Sequence, residues 1–478
     1  MESVLRTCFR RAYLGIAIFG LVSHLLLLMG AAVPWPLFPM ILAGTLSTVM
    51  FLRQPAGDPG AQKGTGLAAL LVAVPLGICL FPLFITCYQG FCPGIDGILG
   101  FTPRAVFLAW EPTLDQPPFT DPYNTYTFCW FYPLLQPLLT APVIHVLGNP
   151  AGIVILPLLY MLFVGFVWSC FRDLEIPPLP AALYSLALGL TPMLLTPVSA
   201  SIDSGMGEFL LLFIMTGAAF GIARQDIVLT MASLFLLPLT KPEGLAYGFI
   251  ICLSLCLSRR KRLPILAVLS FCLSLQLWLP IQCRLALNGK PLNFFFFTFS
   301  LAVIVALFWL FRLFLSRKKP AGLNRILLVL ALLSISLLLY VFSAKIGFID
   351  SSFLKLYLPK TNSLDEGFAK LPTILHSYSK HVIYIDKYGF VFFILLLLIL
   401  LPRNVIGPCP DYALALMIIL GFLILGAPFF LTSPEKLESH LHSRMDRLFL
   451  HWVGPTWVLV GLWLSQRVLR KKPGGERG

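Results

Sequence analysis

Long apolar runs separated by short polar breaks make up most of the chain. There are 15 such runs, and several approach the roughly 20 residues that a helix needs to cross a bilayer. Their apolar positions are continuous and do not alternate, so they predict α-helices and exclude a membrane β-barrel. The runs cover residues 12–30, 35–52, 67–88, 127–147, 152–170, 180–198, 206–223, 226–239, 244–258, 263–283, 293–315, 326–346, 388–402, 411–432 and 450–466.

This pattern predicts an all-α fold, a polytopic transmembrane helical bundle of about 13–15 spans. The composition agrees, because only 12% of the 478 residues are charged. Soluble domains carry about 25% charged residues. We therefore expect a multi-pass integral membrane protein, and the short loops favour a bacterial inner (cell) membrane.

The net charge of +14 comes from short basic clusters between the apolar runs, at residues 6–11, 259–262, 317–319 and 467–472. Lys and Arg in this arrangement follow the positive-inside rule, which orients helices in a membrane. This explanation requires membrane lipids and no nucleic-acid partner, and we expect no nucleic acid to bind.

If the basic clusters face the cytoplasm, the larger polar loops lie together on the outer side. They cover residues 89–126, 240–243, 347–387 and 433–449. Three apolar runs lie between residues 126 and 199, yet both ends of this stretch fall outside, which requires an even number of spans. Either the Pro-interrupted run 127–147 or its neighbour is therefore not a simple span.

These features divide the chain into four parts. They are an N-terminal helical hairpin (1–60), a transmembrane core with the outer loop 89–126 (61–345), a second outer loop (346–387), and C-terminal helices with a basic cytoplasmic tail (388–478). The second outer loop is too long for a simple connector, which suggests an ordered loop or lid.

Carboxylates near the outer side are candidates for acid–base chemistry. Asp96 lies in a Gly-Ile-Asp-Gly sequence, whose glycines allow a tight turn that leaves the carboxylate accessible. A solvated turn residue is the alternative. Asp203 precedes an apolar helix and equally fits the N-cap of that helix. Glu208, inside the run that follows, costs roughly 2.5–3.5 kcal/mol unless it lines a cavity or finds a partner.

Cations of the outer loops are candidates for binding a phosphate. Lys241 and Glu243 lie in a Thr-Lys-Pro-Glu-Gly turn between two apolar runs, where they could also form a helix cap with its counter-charge. Arg444 and Arg447, three residues apart, can share one helix face and present two guanidinium groups to one phosphate. Their position on the outer side departs from the positive-inside rule, so orientation does not explain them.

The first outer loop adds two further candidates, Arg104 and Tyr132. A possible metal pair, His440 and His442, is a weak motif because helical spacing would direct the two rings apart, and no metal site is predicted. Carboxylates and cations on one side of a membrane protein suit a group transfer from a lipid-linked phosphate donor. Such a reaction needs a base for the acceptor proton and cations for the departing phosphate.

These residues occur in the order found in a known family, and the chain resembles the GT-C superfamily of integral-membrane glycosyltransferases. The resemblance rests on short motifs between residues 67 and 460. They are Asp96, the entry Phe131-Tyr132-Pro133-Leu134, Asp203 before a Phe-Leu-Leu-Leu-Phe run, Leu239-Thr240-Lys241 with Gly244, and Ser443-Arg444 with Pro455.

The resemblance implies an inverting transfer of a sugar from a polyprenyl-phosphate donor to a lipid, glycan or protein acceptor at the outer face. It assigns Asp96 as the catalytic base and Asp203 to acceptor or metal contacts. Lys241, Arg444 and Arg447 would bind the donor phosphate.

Glu208, Glu243, Arg104 and Tyr132 are assigned to the acceptor side or to secondary roles. Relatives with monophosphate donors imply that no metal is required, with Mg²⁺ or Mn²⁺ as the alternative.

Two other functions remain open from the residues alone. A secondary transporter or lipid flippase predicts charged sites near the bilayer midplane and two matching halves, and the short runs around residues 240–244 keep this alternative open. A non-catalytic scaffold of an envelope complex would leave the outer carboxylates without a role.

Overall fold

The structure, a computed structural model, describes residues 2–51, 65–88, 101–116, 119, 133–148, 154–195, 207–257, 263–286, 368–401, 409–425, 429 and 434–470. Within these ranges every regular element is a helix, which confirms the predicted all-α class. The predicted runs 293–315 and 326–346 lie outside the described residues.

We number the described helices in chain order. They are α1 (Glu2–Leu28), α2 (Leu37–Phe51), α3 (Thr65–Tyr88), α4 (Thr102–Trp110), α5 (Leu135–Leu147), α6 (Ile155–Asp173), α7 (Pro178–Gly189), α8 (Pro192–Leu195), α9 (Glu208–Arg224), α10 (Ile227–Thr240), α11 (Glu243–Leu257), α12 (Leu263–Ala286), α13 (Leu371–Ile383), α14 (Ile385–Tyr388), α15 (Val391–Leu400), α16 (Tyr412–Leu425) and α17 (Pro434–Arg470).

Three of these helices are long and apolar enough to cross a membrane: α1, α6 and residues Arg444–Ser465 of α17. Among the residues with described side chains, a further eight apolar helical segments are 10–17 residues long. The long helices agree with the predicted association with a membrane, because about 20 apolar residues match the thickness of the hydrocarbon core.

Helix α9 lies at the centre of the bundle. All of its residues from Glu208 to Ile222 are buried, as expected for a helix that is apolar on every side. Helix α17 runs alongside it at very short distance, since a Cβ atom at Gly454 would lie only 1.8 Å from Thr216 Oγ1. Small residues at such crossings let membrane helices approach closely.

One end of the bundle, which we call the basic end, is held by an ion-pair network. The Asp173 carboxylate at the end of α6 contacts Arg6 at 3.4 Å, Arg10 at 3.2 Å and Arg224 at 2.5 Å. Arg10 also pairs with Asp226, the N-cap of α10. Four helices therefore meet through a shared set of charges at the end that carries the first basic cluster of the sequence.

We expect Asp173→Asn to lower the free energy of unfolding by about 1.5–3 kcal/mol, because hydrogen bonds to a charged group are lost at a largely buried position. Unfolding of the purified protein in mixed micelles measures the change. Glu175→Gln is the matched control, since Glu175 is exposed two residues away and should change stability by no more than about 0.5 kcal/mol. Equal stabilities of the two variants would contradict this role of the network.

Helix α5 does not cross the bundle. Near its start, Gln136 Oε1 lies 3.5 Å from the position of a Cβ atom at Gly207, beside the first residue of α9. Near its other end, the His145 ring stacks on Trp35, which follows α1, and His145 Nδ1 donates to the Ala109 carbonyl at 3.1 Å. Both ends therefore lie opposite the basic end.

Helix α5 covers residues 135–147 of the predicted run 127–147, and residues 127–132 lie outside the described residues. Pro142 removes a backbone hydrogen-bond donor inside α5. Which of the three runs between residues 126 and 199 is not a simple span stays a prediction.

Candidate functional site

The end of the bundle opposite the basic end contains a buried group of charges, which we call the Glu208 cluster: Glu208, Lys241, Glu243 and Arg447. Glu208 is the first residue of α9 and only 1% exposed. Gly207 occupies the N-cap of α9, and Asp203, which the sequence suggested for that position, lies outside the described residues. A carboxylate at a helix N-terminus is favoured by the unpaired N–H groups there.

The turn between α10 and α11 carries the next two charges. Lys241 ends α10 in an extended conformation, and its carbonyl accepts a hydrogen bond from the Gly244 amide at 3.0 Å. Glu243 begins α11. Gly244 packs so tightly that a Cβ atom there would lie 2.0 Å from the Leu237 carbonyl oxygen. The backbone of this turn therefore fixes where the Lys241 side chain leaves the helix.

Ion pairs join these residues to α17. Lys241 Nζ donates to Glu208 Oε2, and Arg447 Nη1 donates to Glu208 Oε1 at 3.3 Å. Glu243 Oε1 lies 4.0 Å from Lys241 Nζ. The paired residues are 33 and 239 positions apart in sequence, so the cluster is a product of tertiary structure. Two cations and two carboxylates balance, which offsets the cost of burying each charge.

The two cations differ in access. The Lys241 side chain is 2% exposed, whereas that of Arg447 is 19% exposed. A planar guanidinium also offers five donors in a fork that suits phosphate oxygens. Arg447 is therefore the cation of the cluster that a ligand can reach, while the buried Lys241 pairs with Glu208.

Three further polar residues border the cluster. Tyr247, one turn after Glu243, forms a 3.0 Å hydrogen bond with His451 Nδ1, and Gln136 lies beside Gly207. His451 Nε2 is buried without a hydrogen-bond partner among the described residues. The sequence analysis assigned none of the three to the site, although a polar residue such as Gln136 inside an apolar run is itself a functional indication.

A second group of polar residues surrounds Asp446, the residue before Arg447. The Asp446 carboxylate accepts from His381 Nε2 at 2.8 Å and from Lys387 Nζ at 2.6 Å. The Tyr388 hydroxyl donates to the same carboxylate at 3.2 Å. Burial and the nearby Asp446 charge raise the pKa of Tyr388 well above its ordinary value, so its phenol remains a donor. This group connects α13 and α14 to α17.

The other predicted site residues divide into two sets. Arg444 is exposed and forms no ion pair with any described residue, and Arg104 is buried with its guanidinium 5.3 Å from the centre of the Phe101 ring. Asp96, Asp203 and Tyr132 lie outside the described residues. Within the described ranges, no group of three or more His, Cys, Asp or Glu side chains could hold a metal ion.

The fold and the cluster define an all-helical protein with helices able to cross a membrane and with paired charges buried at one end. Comparison with models of protein families, with curated proteins and with solved structures finds no match to this chain.

Proposed function

We propose that the protein is a polytopic, GT-C-like glycosyltransferase of a bacterial inner membrane. It moves a sugar from a polyprenyl-phosphate donor to a lipid, glycan or protein acceptor at the outer face. One observation supports this proposal: Lys241 and Arg447 both form ion pairs with the buried Glu208 carboxylate. Two of the three cations that the sequence analysis assigned to the donor phosphate share one carboxylate.

The location of the cluster supports an outer site. It lies opposite the basic end, which the positive-inside rule assigns to the cytoplasm. Its members stand at helix ends: Glu208 starts α9, Lys241 ends α10 and Glu243 starts α11. A transporter is expected to hold its charges nearer the midplane, so this placement favours a reaction at the membrane surface.

The proposed chemistry needs two kinds of group. The acceptor oxygen forms a bond to the anomeric carbon as the bond from that carbon to the phosphate oxygen breaks, and the polyprenyl phosphate leaves with the electron pair. Asp96 takes the acceptor proton. Arg447 contacts the phosphate and stabilises its charge, which grows as the bond breaks. Lys241 acts through Glu208, holding the carboxylate that orients Arg447.

This division of roles predicts different kinetics for two variants. Asp96→Asn should lower kcat by about 10²–10⁴-fold with donor binding retained, because a general base acts only on the proton. Arg447→Gln should lower kcat/KM for the donor by about 10- to 100-fold, the value of a charge-assisted hydrogen bond. Transfer from a panel of polyprenyl-phosphate hexoses and pentoses, measured with purified protein in nanodiscs, gives both constants.

Arg467→Gln, a change of the same type at the opposite end of α17, is the matched control and should leave kcat/KM unchanged. Full activity of Asp96→Asn would remove Asp96 from the role of base. If sealed proteoliposomes move the donor across the membrane and form no glycosylated product, the protein is a transporter and the proposal is wrong.

A further inference from the structure

Helix α13 has three faces with different surroundings. One face packs on α17: Ile374 and His381 are buried, and Tyr378 and His381 each lie with their ring centres 5.3 Å from that of Phe449. The Tyr378 hydroxyl also donates to the Phe422 carbonyl at 2.8 Å. This face attaches the helix firmly to the bundle, so the orientation of the other two faces is defined.

The second face is apolar and exposed. Leu375 and Ile383 are each 57% exposed, and Phe368, just before the helix, is 63% exposed. With Pro372 and Ser379 they follow the three- and four-residue spacing of a single helical stripe. No described residue covers this stripe, and an exposed apolar stripe of this kind marks a surface that contacts a partner or a membrane.

The third face is polar. Thr373, His376 and Lys380 have the same three- and four-residue spacing. Each follows a residue of the apolar stripe by one position, and all three are exposed. Helix α13 therefore presents an apolar stripe and a basic polar stripe side by side. This is the pattern of a helix that lies in a membrane surface, with apolar residues among acyl chains and basic residues among phosphate headgroups.

The height of α13 on the bundle agrees with this position. Its contacts on α17, Asp446 and Phe449, lie in the first turns of the membrane-length window Arg444–Ser465. A helix attached there lies at the boundary of the apolar layer. Helix α15 begins beside the same part of α17, since the Phe392 ring centre lies 5.5 Å from that of Phe449.

Further exposed apolar residues follow α13 along the chain as far as α15. Phe390 is exposed between them, and α15 consists only of apolar residues, of which Phe393, Leu396, Leu397, Ile399 and Leu400 are exposed. A surface of this composition matches acyl chains. We propose that α13 is an interfacial helix whose partner is the lipid bilayer, with Leu375 and Ile383 among acyl chains and His376 and Lys380 among headgroups.

Site-directed spin labels test the proposal. The labels are attached to an introduced ketone amino acid and not to the native cysteines. A ketone amino acid introduced at 373, 375, 376 or 383 is coupled to a nitroxide, and the full chain is placed in nanodiscs of phosphatidylethanolamine and phosphatidylglycerol. Collision rates with oxygen, which concentrates in lipid, and with a water-soluble nickel chelate are then compared. Oxygen should dominate at 375 and 383, and the nickel chelate at 373 and 376.

Two results would overturn the proposal. If the nickel chelate dominates at 375, the apolar stripe faces water. If both collision rates are low at 375 and 383, a protein surface covers the stripe, either a second copy or another partner. The collision rates do not depend on sugar transfer, so this test of α13 is independent of the proposed function.

Discussion

Replacing Glu208 with leucine should lower the free energy of unfolding by about 3–5 kcal/mol and abolish activity. The change leaves Lys241, which is 2% exposed, next to Arg447 without the carboxylate that both contact. The cost of desolvating the buried Lys241 ammonium group is then no longer offset by Glu208. Equilibrium unfolding in mixed micelles and sugar transfer in nanodiscs measure the two effects.

A double variant separates stability from function. Glu208→Leu combined with Lys241→Met removes both members of the buried pair and should recover most of the lost stability, because apolar groups of similar size often replace a buried ion pair without cost. Activity should stay lost, since Arg447 loses the Glu208 carboxylate that orients it. Glu438→Gln, at an exposed position of α17, serves as the control. If Glu208→Leu had the same free energy of unfolding as the Glu438→Gln control, the Glu208 cluster would not stabilise the protein as we infer.

Replacing Gly244 with alanine is expected to have the second largest effect. The new methyl group would meet the Leu237 carbonyl oxygen at 2.0 Å, and a backbone atom cannot move aside as a side chain can. Helices α10 and α11 must separate, at a cost of about 1–3 kcal/mol or more. The Lys241–Glu243 turn would shift with them, so kcat should fall as well.

Gly44→Ala provides the matched control. A Cβ atom at Gly44 meets nothing within 4 Å, and the residue lies inside α2. Alanine there should leave stability unchanged or raise it, since it restricts the unfolded chain. If Gly244→Ala were as stable and active as Gly44→Ala, the close contact between α10 and α11 would not be what positions Lys241.

Much of the local structure could be predicted from the sequence. Continuous apolar runs predicted helices, and the described residues are helical where those runs lie. The Thr-Lys-Pro-Glu-Gly sequence predicted a turn, and Lys241 and Pro242 do separate α10 from α11. These features depend on interactions within a few residues, which is why a pattern along the chain is sufficient.

The partners of the charged residues could not be predicted in the same way. Glu208 was recognised as costly inside an apolar run, yet its two cations come from positions 33 and 239 residues away. The sequence analysis paired Arg444 with Arg447 as neighbours on one face, whereas only Arg447 contacts Glu208 and Arg444 is exposed. A helical pattern defines which side chains share a face but not which neighbouring helix that face meets.

The sequence by itself determined the class of this protein, an all-helical chain with helices of membrane length, and the polar breaks where candidate chemistry lies. Only the tertiary structure decided that both ends of α5 lie opposite the basic end, that Glu208 joins α9, α10 and α17, and that no described residue covers the apolar stripe of α13. The physical reason is the separation along the chain of the residues that interact. Helix formation and hydrophobicity are summed over neighbouring residues, whereas a buried ion pair exists only where packing brings distant segments together.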